Sequence, residues 1–222
     1  MQITGGSARG IQLKVPQTEA IRPTQNQVRL AIFSILESSY LSSFRHSGEA
    51  ERRLQNPTIK DSGQPRMTKR GNVNLYRRLI VADFFAGSGA LGIEILSRGA
   101  LHVDFIEKNR KHASIIEENL AKSSFLDSAR VLTTSAEQYA KNYLEKSYDL
   151  IFLDPPYKMF EKIDLSDYAD LLKPSGILIY LHDKSNHPIN NVQGTRTKTM
   201  LVKTDTRYYG STGVSFYVVQ EN

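Results

Sequence analysis

Residues 79–92 read LIVADFFAGSGALG, and this stretch decides the fold. Its apolar first half predicts a buried strand at 79–84. Its second half passes through GxGxxG spacing, formed by Gly87, Gly89 and Gly92, into an apolar periodic segment that predicts a helix. A strand, a glycine-rich turn and a helix in this order are typical of nucleotide-binding α/β folds.

An acidic residue follows the glycine segment at the spacing that such folds use. Glu107 lies 20 residues after Gly87, at the end of the second predicted strand. Glycines let a cofactor approach the backbone closely, and an acid at this strand end can bind ribose hydroxyls. The pattern predicts a dinucleotide or an S-adenosylmethionine (SAM) site. The alternative is a tight strand–helix turn that binds nothing.

Strand and helix patterns alternate along the rest of the chain. Strands are predicted at 79–84, 101–106, 129–133, 148–153 and 176–181, and helices near 90–98, 109–122, 135–145 and 164–172. Apolar strands separated by amphipathic helices indicate a parallel sheet covered on both faces. The end of the chain differs, because MLVKTDTRYY, GSTG and VSFYVV predict an antiparallel hairpin. We therefore predict an α/β, Rossmann-like fold with a mostly parallel seven-stranded sheet.

The chain divides into three parts by pattern. Residues 1–39 predict a small β-hairpin and a helix, with Thr24 and Gln27 at capping-box spacing and an apolar helix face formed by Val28, Ala31, Ile32, Ile35 and Leu36. Residues 40–78 are polar, basic and aperiodic, which predicts a flexible insertion. Residues 79–222 form the α/β domain.

Positive charge is concentrated in the N-terminal part of the chain. The net charge is +6, and residues 1–78 carry 13 Lys/Arg against 5 Asp/Glu, so the remainder is slightly acidic. A basic front predicts a polyanionic partner such as RNA, and the alternative is a solvated surface without a partner.

Composition excludes several classes of site. The chain has no cysteine, so disulfides, Cys-ligated zinc and thiolate catalysis are excluded, and its five histidines lack metal-ligand spacing. We predict no metal site. No apolar run is long enough to span a bilayer and the first residues are not a secretory signal, which predicts a cytoplasmic protein without a membrane partner.

The fourth predicted strand ends in Asp154-Pro155-Pro156-Tyr157, which bears directly on the chemistry. Prolines donate no N–H, so they end the strand and form a rigid rim at the carboxyl edge, where open α/β sheets bind ligands. An amine that is to be methylated needs acceptors for its hydrogens, and Asp154 and the Pro155 carbonyl are suitable. Tyr157 offers a ring for stacking an extruded base. The alternative is a proline-rich turn with a capping Asp.

These segments together resemble a known family. DFFAGSGALG, Glu107 and DPPY resemble the class I SAM-dependent methyltransferases that act on exocyclic amines of nucleobases. The segments ITGGSARGIQL, IRPTQNQVRLAIFSIL and YYGSTGVSFY resemble those of the RsmD family, bacterial enzymes that methylate a guanine N2 in 16S ribosomal RNA. The resemblance covers nearly the whole chain outside about 40–78. Ser135, Gln27 and Leu30 depart from it, standing where the family has Asn or Asp, Arg, and Glu.

The resemblance implies roles for individual residues. It implies SAM as cofactor, S-adenosylhomocysteine as product, and 16S ribosomal RNA, within the small subunit or an assembly intermediate, as partner of a monomeric enzyme. The catalytic candidates are Asp154, Pro155, Pro156 and Tyr157. The SAM-binding candidates are Asp83, Phe85, Ala86, Gly87, Ser88, Gly89, Glu107, Lys108, Ser135, Ala136 and Asp154. Arg9, Arg22, Thr24 and Arg29 are candidates for contacting RNA phosphates or lining the cleft, although Thr24 can equally be only a helix cap.

Three other functions share part of this pattern. An adenine-N6 DNA methyltransferase shares DPPY, but sequence-specific versions usually carry a recognition domain that 40–78 is too short to form. An NAD-dependent reductase shares GxGxxG but leaves DPPY unexplained. A non-catalytic RNA-binding or assembly factor would bind RNA with or without SAM.

Overall fold

The structure, a computed structural model, describes residues 1–16, 26–41, 75–143, 147–156, 159 and 163–220. In this part of the chain the strands are β1 (Ile80–Phe84), β2 (His102–Ile106), β3 (Ala129–Leu132), β4 (Tyr148–Leu153), β5 (Leu172–Asp183), β6 (Asn191–Gln193), β7 (Met200–Tyr209) and β8 (Thr212–Gln220). The helices are α1 (Asn26–Ile35), α2 (Ala90–Arg98), α3 (Arg110–Ser123), α4 (Ala136–Asn142) and α5 (Leu165–Ala169). A π-helical turn, Leu36–Tyr40, continues α1.

All of these strands join one sheet in the order β3-β2-β1-β4-β5-β8-β7-β6. Strands β3, β2, β1, β4 and β5 run parallel to one another, and β8, β7 and β6 complete the sheet in antiparallel pairs. This arrangement confirms the α/β, mostly parallel fold and the C-terminal hairpin.

The sheet differs from the prediction in two respects. It has eight strands rather than seven, because the short segment Asn191–Gln193 pairs with the start of β7. In addition, β5 begins at Leu172 rather than 176 and the preceding helix ends at Ala169, since Leu172 already pairs with Tyr148 before an irregularity in the ladder.

The sheet is covered on both faces because alternate strand residues enter two separate cores. On β4, Leu150 and Phe152 join the core under α1, α2 and α3, whereas Ile151 and Leu153 join the core under α4 and α5. We call these the α1 face and the α5 face. Because both faces of the sheet are buried, consecutive strand residues are apolar.

The buried stripe of α1 is rotated from the predicted one. Arg29 and Phe33 are buried, whereas Ala31 and Ile35 are only partly buried. The ring of Phe33 meets that of Phe152 edge-on, with 6.0 Å between centroids, so this contact with β4 sets the rotation.

The N-terminal segment folds back on itself in a hairpin-like turn and attaches to α2. The Ile3 N–H donates to the Ile11 carbonyl, and the segment is bound through Glu94, a fully buried acid. Glu94 accepts from the Thr4 N–H at 2.8 Å and from Arg98 Nε at 3.0 Å. Arg98 Nη1 also donates to Glu37 Oε1 at 2.9 Å, which connects α2 to the π-helical turn.

Most of the predicted insertion, residues 42–74, lies outside the described residues. Both of its ends are within them: Leu41 and Tyr76 are 2% and 4% exposed and belong to the α1-face core. The division into three parts stays a prediction. Among the described residues no helix combines the length and apolar composition needed to cross a bilayer.

Candidate active site

The strand register brings three functional segments to one point. Phe84, the last residue of β1, pairs with Ile106 on β2 and with Leu153 on β4. The residues that follow these three positions therefore leave the carboxyl edge side by side. They include the glycine segment, Glu107 and Asp154, as the sequence predicts.

The glycine segment turns sharply from β1 into α2. Gly87 and Gly89 have φ values of 58° and 77°, which favour glycine, and Phe85 also has a positive φ of 59°. Gly89 is the N-terminal cap of α2. Gly87 is buried, and a Cβ placed on it would meet no atom closer than 3.8 Å, so its φ and not a close neighbour explains the glycine there.

Gly92 serves packing rather than the turn. A Cβ at this position would lie 2.3 Å from Cε1 of Phe105 on β2 and 3.0 Å from Oδ2 of Asp83. The first turn of α2 can therefore pack this closely on the sheet only with glycine at 92.

Glu107 stabilises the glycine segment from the neighbouring strand. Its Oε2 accepts from the Gly87 N–H at 2.9 Å, and its Oε1 accepts from the Asn109 N–H at 2.8 Å. The residue is 7% exposed, and His112 Nδ1 lies 3.7 Å from Oε1. These bonds fix the carboxylate at the carboxyl edge, beside the backbone of Gly87.

Asp83 is the most deeply buried acid of this group. It is 2% exposed, and its Oδ2 accepts from the Gly92 N–H at 2.9 Å. Burial raises the pKa of Asp83 well above its ordinary value, and the negative charges of Asp154 and Glu107 raise it further, against the opposing effect of the Gly92 N–H. A cationic ligand bound beside these acids would therefore favour the ionised form of Asp83.

We expect the titration of Asp83 to appear in the pH dependence of stability. Because the folded-state pKa of Asp83 is raised, the folded protein binds this proton more tightly than the unfolded chain. The free energy of unfolding should therefore fall as pH rises from about 4, by up to ~1.4 kcal/mol per pH unit, until the raised pKa is passed. Asp83→Asn keeps an acceptor for Gly92 and should remove this slope.

Urea unfolding between pH 4 and 7.5 measures this effect as the difference between wild type and variant. Asp127→Asn, at an exposed position, is the control for a general change of charge. Parallel stability curves for wild type and Asp83→Asn would contradict the assignment.

Asp154 stands at the strand end between the cofactor candidates and β5. Its N–H donates to the Phe84 carbonyl at 3.4 Å, which continues the pairing of β4 with β1 by one residue. Asp154 is partly exposed, Pro155 is buried, and the Pro156 carbonyl accepts from the Met159 N–H at 2.8 Å. Tyr157 lies outside the described residues.

The other cofactor candidates lie along the same edge with different exposure. Ala86 and Ser88 are buried in the glycine turn, and Lys108 is exposed beyond β2. Ser135 caps α4 by accepting from the Gln138 N–H at 3.1 Å, and Ala136 is 4% exposed.

The predicted RNA contact of Arg29 requires a correction. Arg29 is fully buried, and its Nη2 donates to the Gln2 carbonyl and to Asn26 Oδ1, so it ties the N-terminal segment to α1 instead of facing a polyanion. The helix rotation set by Phe33 places it there. Arg9 is exposed, and Arg22 and Thr24 lie outside the described residues.

Asn119 is a supporting residue that sequence reasoning missed. From α3 its Nδ2 donates to the Ser88 carbonyl at 2.9 Å, and its Oδ1 accepts from the Lys14 N–H at 2.8 Å. It joins the glycine turn to the N-terminal segment. A polar residue within a helix that is otherwise polar gives no sequence signal for this role.

No metal site accompanies these carboxylates within the described ranges, where no three His, Asp or Glu residues are grouped to hold an ion.

Comparisons with known proteins agree with this arrangement. The chain is 30% identical over 222 residues to "Putative rRNA methyltransferase YlbH" of Bacillus subtilis, covering 98% of both proteins. It is 30% identical over 158 residues to "Ribosomal RNA small subunit methyltransferase D" of Buchnera aphidicola (strain Bp), covering 71% of this chain and 62% of that protein. Among solved structures, "Putative methyltransferase yhhF" of Escherichia coli superposes with a TM-score of 0.67 at 22% identity, covering 100% and 99% of the two chains, which shows a shared methyltransferase fold.

A family model extends the likeness over both ends of the chain. The model described as conserved hypothetical protein 95 matches residues 1–50 and 70–218, which leaves out only the middle of the predicted insertion and the last four residues. The chain therefore belongs to the conserved hypothetical protein 95 family, the RsmD family that its motifs predict.

Proposed function

We propose that this protein transfers a methyl group from SAM to the exocyclic N2 amine of a guanine in 16S ribosomal RNA. The observation that carries the proposal is the convergence of Asp83, Glu107 and Asp154 beside the glycine turn at the carboxyl edge. The names of the Bacillus and Buchnera relatives support ribosomal RNA as the substrate. The guanine N2 position rests on the RsmD resemblance.

The site has the chemistry that SAM requires. SAM carries a cationic sulfonium and a cationic ammonium group, which would favour the ionised form of Asp83 and would be attracted by the carboxylate of Glu107. Glu107, fixed beside Gly87, is placed for ribose hydroxyls, and Asp83 and the turn from Phe85 to Gly89 would hold the methionine part. Ser135 and Ala136 would border the adenine.

The cofactor supplies an electrophilic methyl group, and the protein positions the nucleophile. Asp154 and the Pro155 carbonyl accept the hydrogens of the amine, which aims the nitrogen lone pair at the methyl carbon. As the N–C bond forms, the S–C bond breaks, and the amine proton passes to solvent. Positioning and electrostatics supply most of the rate, with Tyr157 proposed to stack on the extruded base.

Glu107→Gln should weaken SAM binding and destabilise the glycine segment. A glutamine retains one acceptor oxygen and turns an NH₂ group towards either the Gly87 or the Asn109 N–H, so one buried donor loses its partner. Such a loss costs about 1–3 kcal/mol. We expect an affinity for SAM at least about tenfold lower, measured by isothermal titration calorimetry.

Glu118→Gln is the matched control, because Glu118 lies on the exposed side of α3, where it pairs with Lys14. Unchanged SAM affinity in Glu107→Gln would remove Glu107 from the cofactor site.

Methyl transfer from labelled SAM tests the whole proposal. Small ribosomal subunits from cells lacking this enzyme, their naked RNA and duplex DNA are assayed in parallel, and the modified base is identified. We expect label on guanine N2 of 16S ribosomal RNA. Label on DNA adenine would favour the adenine-N6 alternative, and RNA binding without transfer would favour an assembly factor.

A further inference from the structure

Next to the proposed catalytic residues, on the side away from the glycine segment, the sheet extends beyond the end of β4. Tyr180 on β5 pairs with Leu153, the residue before Asp154, but β5 continues three residues further, to Asp183. At about 3.3 Å per residue this extension is ~10 Å high. It is paired throughout with β8, and β8 with β7, so β5, β8 and β7 form a wall next to Asp154.

The register also fixes which residues of the wall lie level with the proposed catalytic residues. Leu181 follows Tyr180 as Asp154 follows Leu153, and it pairs with Val214, which pairs with Arg207. Arg207 is therefore level with Asp154 and three strands away, about 14 Å at ~4.8 Å per strand. The next row contains His182, Gly213 and Tyr208, level with Pro155.

The outer end of this wall carries exposed side chains that suit nucleic acid. Tyr208 is 47% exposed, the most exposed large aromatic among the described residues, and within them it makes no ring contact. The Arg207 side chain is 59% exposed, and a bond from its Nε to Asp205 Oδ2 at 2.9 Å orients it. Lys184 is exposed beside the turn, where its N–H donates to the Ser211 carbonyl.

The row of the sheet that contains Tyr208 is firmly packed. The residue opposite it, Gly213, has no side chain because the His182 ring occupies that space: a Cβ on Gly213 would lie 2.3 Å from His182 Cε1. His182 is itself fixed by Ser215 Oγ at 2.9 Å from its Nε2. Firmly packed residues beside an exposed aromatic ring favour stacking, because little conformational entropy is lost on binding.

We propose that the end of the β7–β8 hairpin is a second RNA-contact site. Tyr208 stacks there on an unpaired base near the methylated nucleotide, and Arg207, on the other face of β7, contacts a phosphate. This inference rests on the proposed function and adds a contact outside the catalytic site. A strand leaving Asp154 must cross about 14 Å to reach Arg207, which is at most about four stacked nucleotides at ~3.4 Å each. A single RNA strand can therefore carry both the target and the stacked base.

Binding of naked 16S ribosomal RNA, measured by filter retention without SAM across a salt series, tests the two contacts separately. Tyr208→Ala should weaken binding about tenfold, with an unchanged salt slope, because base stacking is not ionic. Tyr208→Phe should bind as wild type does. Arg207→Ala should reduce the slope of log K against log salt by about one, as expected for one lost phosphate contact.

Two further variants control for structure. Tyr208→Thr keeps the β propensity without the ring, so it should bind as weakly as Tyr208→Ala. Leu101→Ala removes a side chain of similar exposure, 50%, at the amino end of β2, on the far side of the sheet from the carboxyl edge. This variant should bind RNA as wild type does. Thermal unfolding verifies that each variant is folded.

Methyl transfer to small subunits then separates this inference from the proposed function. We expect the Tyr208 and Arg207 variants to raise KM more than they lower kcat. If wild type methylates the RNA and both variants match it in binding and turnover, the hairpin inference is wrong and the function stands. Normal RNA binding with activity lost only on subunits would indicate a protein contact and overturn it. If the wild-type protein transfers no methyl group, the proposed function fails, and the RNA-binding measurements alone decide whether the hairpin contacts RNA.

Discussion

Asp154→Ala should retain affinity for SAM and lose methyl transfer by at least about 100-fold. The expected loss is of the size seen when one preorganised polar contact to a reacting group is removed. Asp154 leaves β4 directly beside Phe84 and the glycine turn, so its carboxylate is the acceptor placed to orient an amine next to the cofactor. Calorimetry for SAM binding and single-turnover transfer to small subunits measure the two effects separately.

Asp154→Ala should also change the pKa of Asp83, an effect that depends only on the charge of Asp154. Asp154 contributes to the raised pKa of Asp83, so its removal should lower the pKa of Asp83 towards the ordinary range. This shift can be followed by carbon NMR of the carboxyl groups. It checks that the two acids are close even if activity is lost for another reason.

Asp154→Asn keeps one acceptor oxygen and should retain intermediate activity, whereas the exposed Asp127→Ala should transfer methyl groups as wild type does. Full activity in Asp154→Ala would remove this carboxylate from the mechanism.

The edge geometry was predictable because it follows from strand order and apolar runs. Once β1, β2 and β4 are recognised as parallel strands, their following residues must meet at one edge. Glu107 follows β2 at this edge and accepts a hydrogen bond from the Gly87 N–H. The bonds of Asp83 to Gly92 and of Asn119 to Ser88 depend on how closely helices pack, which spacing alone does not specify.

Two errors have a common physical origin in tertiary packing. The segment Asn191–Gln193 is short and has only one buried residue, so it is a strand only because β7 is there to pair with it. The resemblance made Arg29 a candidate for contacting RNA phosphates or lining the cleft, and charged side chains are rarely fully buried without a charged partner. The contact of Phe33 with Phe152 rotates α1 and carries Arg29 inside, where Gln2 and Asn26 accept its hydrogens.

Gly92→Ala should destabilise the protein and weaken SAM binding, although Gly92 touches no proposed substrate. A Cβ at 2.3 Å from Phe105 Cε1 cannot be accommodated without movement of the ring or of α2, and Phe105 is fully buried. Overpacking of this kind costs about 1–3 kcal/mol, and we expect the upper end. The better helix propensity of alanine offsets about 1 kcal/mol. The net loss of about 2 kcal/mol should lower Tm by roughly 4–8 °C in a chain of this size.

The loss of SAM affinity should follow from the same displacement. The Gly92 N–H is the donor to Asp83, and α2 begins at the turn that presents Gly87, so a shift of the helix moves both parts of the proposed cofactor site. Differential scanning fluorimetry and calorimetry measure the two losses. Gly210→Ala is the control for both, because Gly210 has a φ of 62° but no atom within 4 Å of an added Cβ. It should cost only the left-handed backbone strain, about 1 kcal/mol, and leave SAM binding unchanged.

A double-mutant cycle with Phe105→Leu identifies the steric cause. Leucine lacks the ring atoms Cε1 and Cζ that an alanine at 92 would meet at 2.3 and 2.7 Å. Phe105→Leu alone should destabilise the protein by leaving a cavity in the α1-face core. In the Gly92→Ala background the same change relieves the clash, so the two costs should sum to more than the cost of the double variant by at least about 1 kcal/mol. Additive costs would mean that Gly92 is required for another reason, such as the flexibility of the turn, and not for the close approach of α2 to β2.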